Sequence, residues 1–333
     1  MIRILCILLF AISAFAEAQQ TGRVYRLGYL SSGTASPATD PGFGALRKRL
    51  QDLGYMEGQN LHIEYRYAEL DQKRLQDFAV ELAQLKVDVI VTSPDEPVVR
   101  AAQVATRTIP VVMPGSVADP LAPTFWGEKQ RAPLVASLAR PGGNFTGLTN
   151  LDSELHPKRL ELLKESFPRI SKVALLWPRA QQQKQTLKEI EIVKQALNIE
   201  VQSRASGTLE DLERALDEIS RQPPDALLVA RSAVMLKNRE RVIGLAIKRR
   251  LPAMFAGSEN VTVGGLMSYG ADLGDVYSRA AVFVDKIFKG ASPSELPIER
   301  PTKFELIINL KTLKQINATI SPHVLARADR VIR

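Results

Sequence analysis

The chain has 333 residues, 45% of them hydrophobic and 24% charged, with 20 Gly and 20 Pro; this is ordinary globular usage and excludes collagen-like, low-complexity and wholly disordered classes. At roughly 100–200 residues per domain the length predicts two domains, each able to bury its own core. An excess of 44 Lys and Arg over 36 Asp and Glu gives a net charge of +8, which by itself admits nucleic acid, an anionic membrane surface or an acidic ligand as partner. The one cysteine, Cys6, excludes a disulfide framework and a cysteine-based zinc site. His62, His156 and His323 show no metal-ligand spacing, so neither metal nor cofactor is expected.

Residues 1–18 read as a secretory signal: Arg3 supplies a short positive start, Ile4 to Phe15 an apolar run, and small residues follow. Two cleavage patterns of the A-x-A kind overlap, Ala14-Phe15-Ala16 and Ala16-Glu17-Ala18. The second fits better, because Gln19 to Gly22 then forms a polar tail. The apolar run is shorter than the ~20 residues of a spanning helix, and no later run approaches that length, so a soluble periplasmic protein is expected. Cys6 leaves with the signal, and losing Arg3 and Glu17 together leaves the net charge unchanged. Export makes a nucleic-acid partner unexpected.

In chain order, short β-rich apolar runs alternate with amphipathic stretches, the pattern of parallel βαβ units. Val24 to Leu30 is the first strand. Phe43 to Leu53 is a helix, its apolar residues spaced by three and four and closed by Gly54. Strand Leu61 to Tyr67, helix Leu75 to Leu85, strand Asp88 to Thr92, helix Val98 to Thr106 and strand Pro110 to Met113 follow. After the turn cluster Arg140 to Asn144 comes strand Phe145 to Leu148. The pattern then restarts with strand Lys172 to Trp177, helix Thr186 to Leu197, strand Ile199 to Ser203 and helix Leu209 to Ser220. Strand Ala226 to Ala230, a helix around Arg239 to Arg249, and strands Pro252 to Phe255 and Leu266 to Tyr269 complete the second series. The fold class is therefore α/β, with two doubly wound parallel-sheet lobes. A helix from Asp275 to Phe288, a Pro-rich stretch from Pro293 to Pro301, a strand from Phe304 to Leu310 and a short element around His323 to Val331 are left over. These segments are expected to cross back and tie the lobes together, with the last element packing on either one.

Motifs for catalysis and nucleotide binding are missing. The sequence contains no P-loop, no G-x-S-x-G and no H-E-x-x-H, and Gly42-Phe-Gly44 lacks the third glycine of a dinucleotide fingerprint. The chain is read as a non-enzyme.

Several stretches carry a family resemblance: Leu53-Gly-Tyr with Glu57-Gly-Gln-Asn60, Ala136-Ser-Leu-Ala-Arg-Pro-Gly-Gly-Asn144 with Thr146-Gly147, Gly264-Gly-Leu-Met-Ser-Tyr-Gly270 with Asp272, Pro301-Thr-Lys-Phe-Glu-Leu-Ile-Ile-Asn-Leu-Lys311, and Leu325-Ala-Arg-Ala-Asp329. Together they are similar to the ABC transporter substrate-binding proteins related to tryptophan/tyrosine transport receptors. The resemblance implies a type I periplasmic binding protein fold with a three-crossover hinge, a ligand in the cleft, no catalysis and an ABC permease in the inner membrane as partner. It also implies a first lobe of residues 24–147 plus 267–300, a second of 148–266 plus 301–333, and a monomer that captures a small polar solute, an amino acid or related compound. A membrane sensory system with the same ligand-binding fold is the alternative.

In open parallel sheets the ligand lies beyond the carboxyl ends of the strands. That rule selects Ser31, Ser32, Ser93, Asp95, Glu96 and Ser116 on the first lobe, and Arg231, Ser258 and Glu259 on the second, with Tyr269 and Asp272 following the Leu266 strand. Hydroxyls suit a ligand carboxylate, and a carboxylate such as Asp272 suits an ammonium group. The same residue types also cap helices. Two departures from the family pattern stand out. Ser93-Pro-Asp95-Glu96-Pro97 replaces a small Gly-Thr-Pro-like turn, and about ten residues are inserted within Leu121 to Pro133, where Trp126 is read either as a lid over the cleft or as surface cover. The acidic additions favour a ligand with extra positive charge if both side chains face the cleft. Basic triplets such as Arg47-Lys48-Arg49 and Lys248-Arg249-Arg250 read as solvated helix faces.

Overall fold

The computed structural model describes residues 22–33, 38, 40–115, 120–121, 124–126, 129–149, 153–178 and 184–333. The expected signal at 1–18, with Cys6, lies outside these residues, as does Ser116.

The first series begins with β1 (Tyr25–Ser31), α1 (Pro41–Asp52), β2 (Leu61–Tyr67), α2 (Gln72–Gln84), β3 (Val89–Thr92), α3 (Glu96–Ala105) and β4 (Val111–Pro114). A small hairpin follows, β5 (Thr124–Trp126) with β6 (Lys129–Arg131), and the series ends on β7 (Phe145–Leu148). The helices start where the local chemistry directs. Asp40 accepts the Phe43 N–H at 3.0 Å and Asp71 accepts the Arg74 N–H at 2.9 Å, satisfying amides that a helix start leaves open. Phe43, Leu46 and Leu50 on α1 are fully buried, as the three-and-four spacing predicts. The five main strands are parallel in the order β2-β1-β3-β4-β7.

The second series runs α4 (His156–Ser166), β8 (Lys172–Trp177), α5 (Lys184–Ala196), β9 (Glu200–Ala205), α6 (Leu209–Arg221), β10 (Ala226–Val229), α7 (Ala233–Lys237), α8 (Arg239–Lys248), β11 (Ala253–Phe255), α9 (Ser258–Thr262) and β12 (Met267–Ala271). It continues with α10 (Leu273–Phe288), β13 (Phe304–Asn309), α11 (Leu310–Gln315), α12 (Pro322–Ala326) and β14 (Arg330–Ile332). Seven strands form the second sheet in the order β14-β13-β12-β11-β10-β8-β9, and only β12 with β13 is antiparallel.

Three findings correct or complete the sequence expectation. The expected first-lobe segment beginning at 267 starts too early: β12 pairs in the second sheet, and the chain returns to the first lobe only with α10, which buries Val276, Ala280, Phe283 and Val284 in the same cluster as Phe43 and Leu46 of α1. Helix α4 has no counterpart in the sequence reading, because its buried face carries His156 and Arg159 among Leu160, Leu162 and Leu163 and so blurs the apolar period. The carboxyl-terminal element joins the second lobe, since β14 pairs with β13.

The chain crosses between the sheets after β7, between β12 and α10, and between Glu299 and β13. These crossings are cross-linked. The Thr149 N–H donates to the Glu299 carbonyl at 2.8 Å, Lys303 pairs with Asp275 at 2.9 Å, Arg300 with Glu154 at 3.7 Å, and Arg279 with Glu299. The Asp275 carboxylate raises the Lys303 ammonium above its ordinary range. No helix among the described residues is long and apolar enough to cross a membrane.

Candidate functional site

Both sheets reverse their winding direction once, between β1 and β3 in the first and between β8 and β10 in the second. Loops leaving adjacent strands at such a point diverge to opposite faces and open a crevice at the carboxyl ends. The two crevices face each other across one cleft, lined by Pro94, Pro114, Gly115, Leu273 and Val276 of the first lobe and by Arg231, Ala256, Gly257 and Ser258 of the second, with Ala271 at the crossing.

The first-lobe wall is internally satisfied. Ser32 Oγ donates to Asp95 Oδ2 at 2.7 Å and Ser93 Oγ donates to the same oxygen at 3.0 Å. Ser93 Oγ accepts the Ser32 N–H at 3.3 Å, and Ser31 Oγ accepts the Gly33 N–H at 3.1 Å. Beneath this wall the Tyr29 hydroxyl donates to Asp40 at 2.9 Å and lies 3.1 Å from the Tyr277 hydroxyl. Burial holds both phenols well above their ordinary range, and Asp40 pushes them the same way. They are neutral hydrogen-bonding groups at any physiological pH.

The second-lobe wall is built differently. Arg231 follows β10, with its guanidinium 3.3 Å from Glu259 Oε1 and 4.0 Å from Asp95 Oδ1 across the cleft. The three side chains keep only 12% (Asp95), 18% (Arg231) and 21% (Glu259) of their surface, so water screens them incompletely. The Glu259 carboxylate folds back over Gly257; a methyl group at Gly257 would lie 2.3 Å from both of its oxygens. Ser258 opens α9 on the cleft. Behind it Glu305 hydrogen-bonds the Ser258 side chain, and burial raises the Glu305 carboxyl above the usual range, with Asp272 adding to the rise.

Ser32, Ser93, Asp95, Arg231, Ser258 and Glu259 thus converge, with Ser31 just behind Ser32. Three other candidates are placed elsewhere. Glu96 turns outward, is 44% exposed, and lies 3.6 Å from Arg100 one helical turn along α3. Tyr269 is half-buried, stacks on Phe304 with ring centroids 6.1 Å apart and packs against the second-lobe core. Asp272 caps α10, accepting the Asp275 N–H at 3.2 Å. The insertion within 121–133 forms the β5–β6 hairpin, and its far end is tied to α3 where Arg100 donates to the Ala132 carbonyl at 3.2 Å. Sequence reasoning did not single out Leu273, Val276 or the Tyr29–Tyr277–Asp40 network. Leu273 and Val276 read as ordinary helix positions, and only the return of α10 to the first lobe brings them to the cleft. Among the described residues no group of three His, Cys, Asp or Glu could hold a metal ion.

A cleft at the carboxyl ends of two parallel sheets, with charged residues converging from both, is the geometry of a two-lobed binding protein. The sequence profile described as ABC transporter substrate binding protein matches residues 34–332. The chain belongs to that family. A relative named tyrosine-binding protein, from Clostridioides difficile, is 26% identical over 282 residues, covering 84% of this chain and 78% of the relative. Among solved structures, a domain from Streptococcus pneumoniae in complex with L-Trp superposes with a TM-score of 0.79 at 22% identity, covering 93% of this chain and all of that one. A conserved domain protein from Vibrio cholerae gives 0.77 at 26% identity, with 93% of this chain and 100% of that chain covered. A ligand-free, open substrate-binding protein with adhesive properties from Clostridium difficile gives 0.67 at 23% identity, over 93% of this substrate-binding protein and 99% of its counterpart. The type I periplasmic binding protein fold expected from the sequence is therefore present.

Proposed function

We propose that this substrate-binding protein captures a small amino acid or related amine between its lobes and delivers it to the permease of an ABC importer. The observation that carries the reading is the meeting of Asp95 from the first lobe with Arg231 and Glu259 from the second at one cleft. A ligand held there touches both lobes, so its binding energy favours the closed arrangement over the open one. Differential affinity for the two states is what a receptor needs in order to signal occupancy to a membrane partner.

Ser32, Ser93, Asp95, Arg231, Ser258 and Glu259 are the proposed ligand-contacting residues. The ligand is bound and released unchanged, without catalysis and without a cofactor. Residues 1–18 are the proposed export signal, and the mature chain acts as a periplasmic monomer with no nucleic-acid partner. The reading also draws on the family and on the tyrosine and tryptophan named for its relatives.

A thermal-shift screen of the mature chain over the amino acids and their amines tests it. A ligand at a hundred times its Kd stabilises the folded state by about 2.7 kcal/mol, which raises Tm by several degrees in a protein of this size. If no amino acid or amine moves Tm, and calorimetry finds no binding at millimolar concentration, the reading fails. Recovery of the protein in a periplasmic extract tests the export signal, and cytoplasmic retention of the full chain would contradict it.

A further inference from the structure

Asp95 follows β3 and Arg231 follows β10, so their approach to 4.0 Å joins the first lobe to the second through the protein's own side chains. Among the described residues this is the one ion pair that spans the cleft away from the crossings, where Lys303–Asp275, Arg300–Glu154 and Arg279–Glu299 are gathered. In the first sheet β3 lies two strands from β7, after which the chain leaves that lobe, and in the second β10 lies two strands from β12. With strands spaced about 4.8 Å apart, the contact stands roughly 10 Å from the crossings. A hinge rotation moves each contact in proportion to its distance from the axis. Opening that barely strains the crossing pairs therefore pulls Asp95 away from Arg231.

Each end of the contact is prepared within its own lobe. The Ser32 and Ser93 hydroxyls occupy Asp95 Oδ2, and Oδ1 is the oxygen turned toward Arg231. On the other side Glu259 holds the guanidinium at 3.3 Å, and its carboxylate fits over Gly257 because that residue has no side chain. Exposed ion pairs contribute little, since two long side chains must be ordered in water that screens them. Here the ordering is done by Ser32, Ser93 and Glu259, and partial burial of all three charged groups limits the screening. At 4.0 Å the attraction acts without a hydrogen bond, so the contact can be made and broken.

We propose that Arg231 is an interlobe latch: anchored by Glu259 on the second lobe, it draws in Asp95 of the first and populates the closed arrangement before any ligand arrives. The latch rests on the two-lobed fold and not on which solute is bound. Its consequence for binding is that the ligand has less of the closing equilibrium left to shift. Glu96 takes no part, because it faces outward to Arg100.

Interlobe distances measured by pulsed electron resonance on spin-labelled protein test the latch. The chain from Gln19 onward has no cysteine of its own, so Gln72→Cys and Glu210→Cys supply the two label sites. Both are exposed, at the starts of α2 and α6, the helices that follow the edge strands β2 and β9. With extensively dialysed protein at pH 7 and low salt, the expected result is a short and a long separation, with the short one dominant. Asp95→Asn, which keeps the side-chain shape, should lower the short-to-long ratio at least fivefold. Arg231→Gln should do the same, and the double variant should go no further than either single one, because both remove one contact. Arg300→Gln, which removes a pair at the crossings, should change the ratio less than twofold. If Arg231→Gln does not fold, Asp95→Asn decides alone. An unchanged distance distribution in Asp95→Asn overturns the latch, and so does a parent protein found only at the long separation. Additive effects in the double variant, or a shift in Arg300→Gln as large as that in Asp95→Asn, overturn it as well. None of these readings uses a ligand, so their failure leaves the receptor reading standing, and a failed ligand screen leaves the latch standing.

Discussion

The two walls of the cleft are made from the same kind of loop, the one that leaves the carboxyl end of a parallel strand, yet they are finished differently. On the first lobe Ser32, Ser93 and Asp95 satisfy one another, so the wall is rigid before any ligand arrives. On the second lobe Arg231 and Glu259 hold each other by charge, and the Glu259 oxygens take no hydrogen bond. Preorganisation reduces the ordering cost of binding, and on the second wall it is the Arg231–Glu259 ion pair that faces Asp95.

Gly147→Ala tests the rigidity of the first lobe most severely. Gly147 has φ +120°, and an added methyl group would approach the Met113 carbonyl oxygen of the neighbouring strand to within 2.2 Å. Strain of this kind at a fixed backbone contact should cost about 3 kcal/mol or more, read as a lowered urea midpoint. An unchanged midpoint would mean that β4 and β7 can move apart freely.

Arg159→Met probes the frame of the second lobe. The fully buried guanidinium donates to the Tyr269 carbonyl at 2.7 Å and the Ala256 carbonyl at 3.3 Å, next to the cleft residue Gly257. Losing donors to two buried carbonyls should destabilise the protein by about 2–3 kcal/mol and weaken binding of whichever probe raises Tm in the screen. Full stability would show that Arg159 is not what holds β11 and β12 together.

Asp95→Ala removes the acceptor on which the first wall converges. Affinity for the same probe should fall about tenfold, equivalent to ~1.4 kcal/mol; a calorimetric Kd within twofold of the parent would remove Asp95 from the site. Asp272→Ala is expected to do the reverse. It deletes the α10 cap, costing stability about 1 kcal/mol, while leaving Kd within threefold. A tenfold loss of affinity at full stability would restore it as a ligand contact. The smallest effect on binding is expected for Glu96→Thr, which removes a half-exposed ion-pair partner of the buried Arg100 and should leave the ligand profile unaltered, with Kd within twofold of the parent.

Much of this architecture was legible in the chain. Strands β2, β7 and β8 lie where alternation and apolar runs placed them, because their periodicity reports the burial directly. Helix α4 was not legible, since Arg159 and His156 sit on its buried side and remove the apolar stripe. The candidate site was half legible. Strand-end position pointed to Asp95, Arg231 and Glu259, which the structure brings together, and by the same rule to Tyr269 and Asp272, which respectively stack on Phe304 and cap α10.

The adjacent pair Asp95 and Glu96 separates what sequence alone determines from what it does not. An acidic turn after a buried strand, followed by an amphipathic helix, is readable from residue type and spacing, and so are the two α/β series and the family they resemble. Which of the two acids faces the cleft is not, because successive residues entering a helix point about 100° apart and the docking of α3 on its own sheet sets the starting angle. Only the tertiary structure turned Asp95 toward Arg231 and Glu96 toward Arg100. The same holds for the net charge of +8: it counts every side chain equally, whereas a ligand meets only the few that the fold draws together.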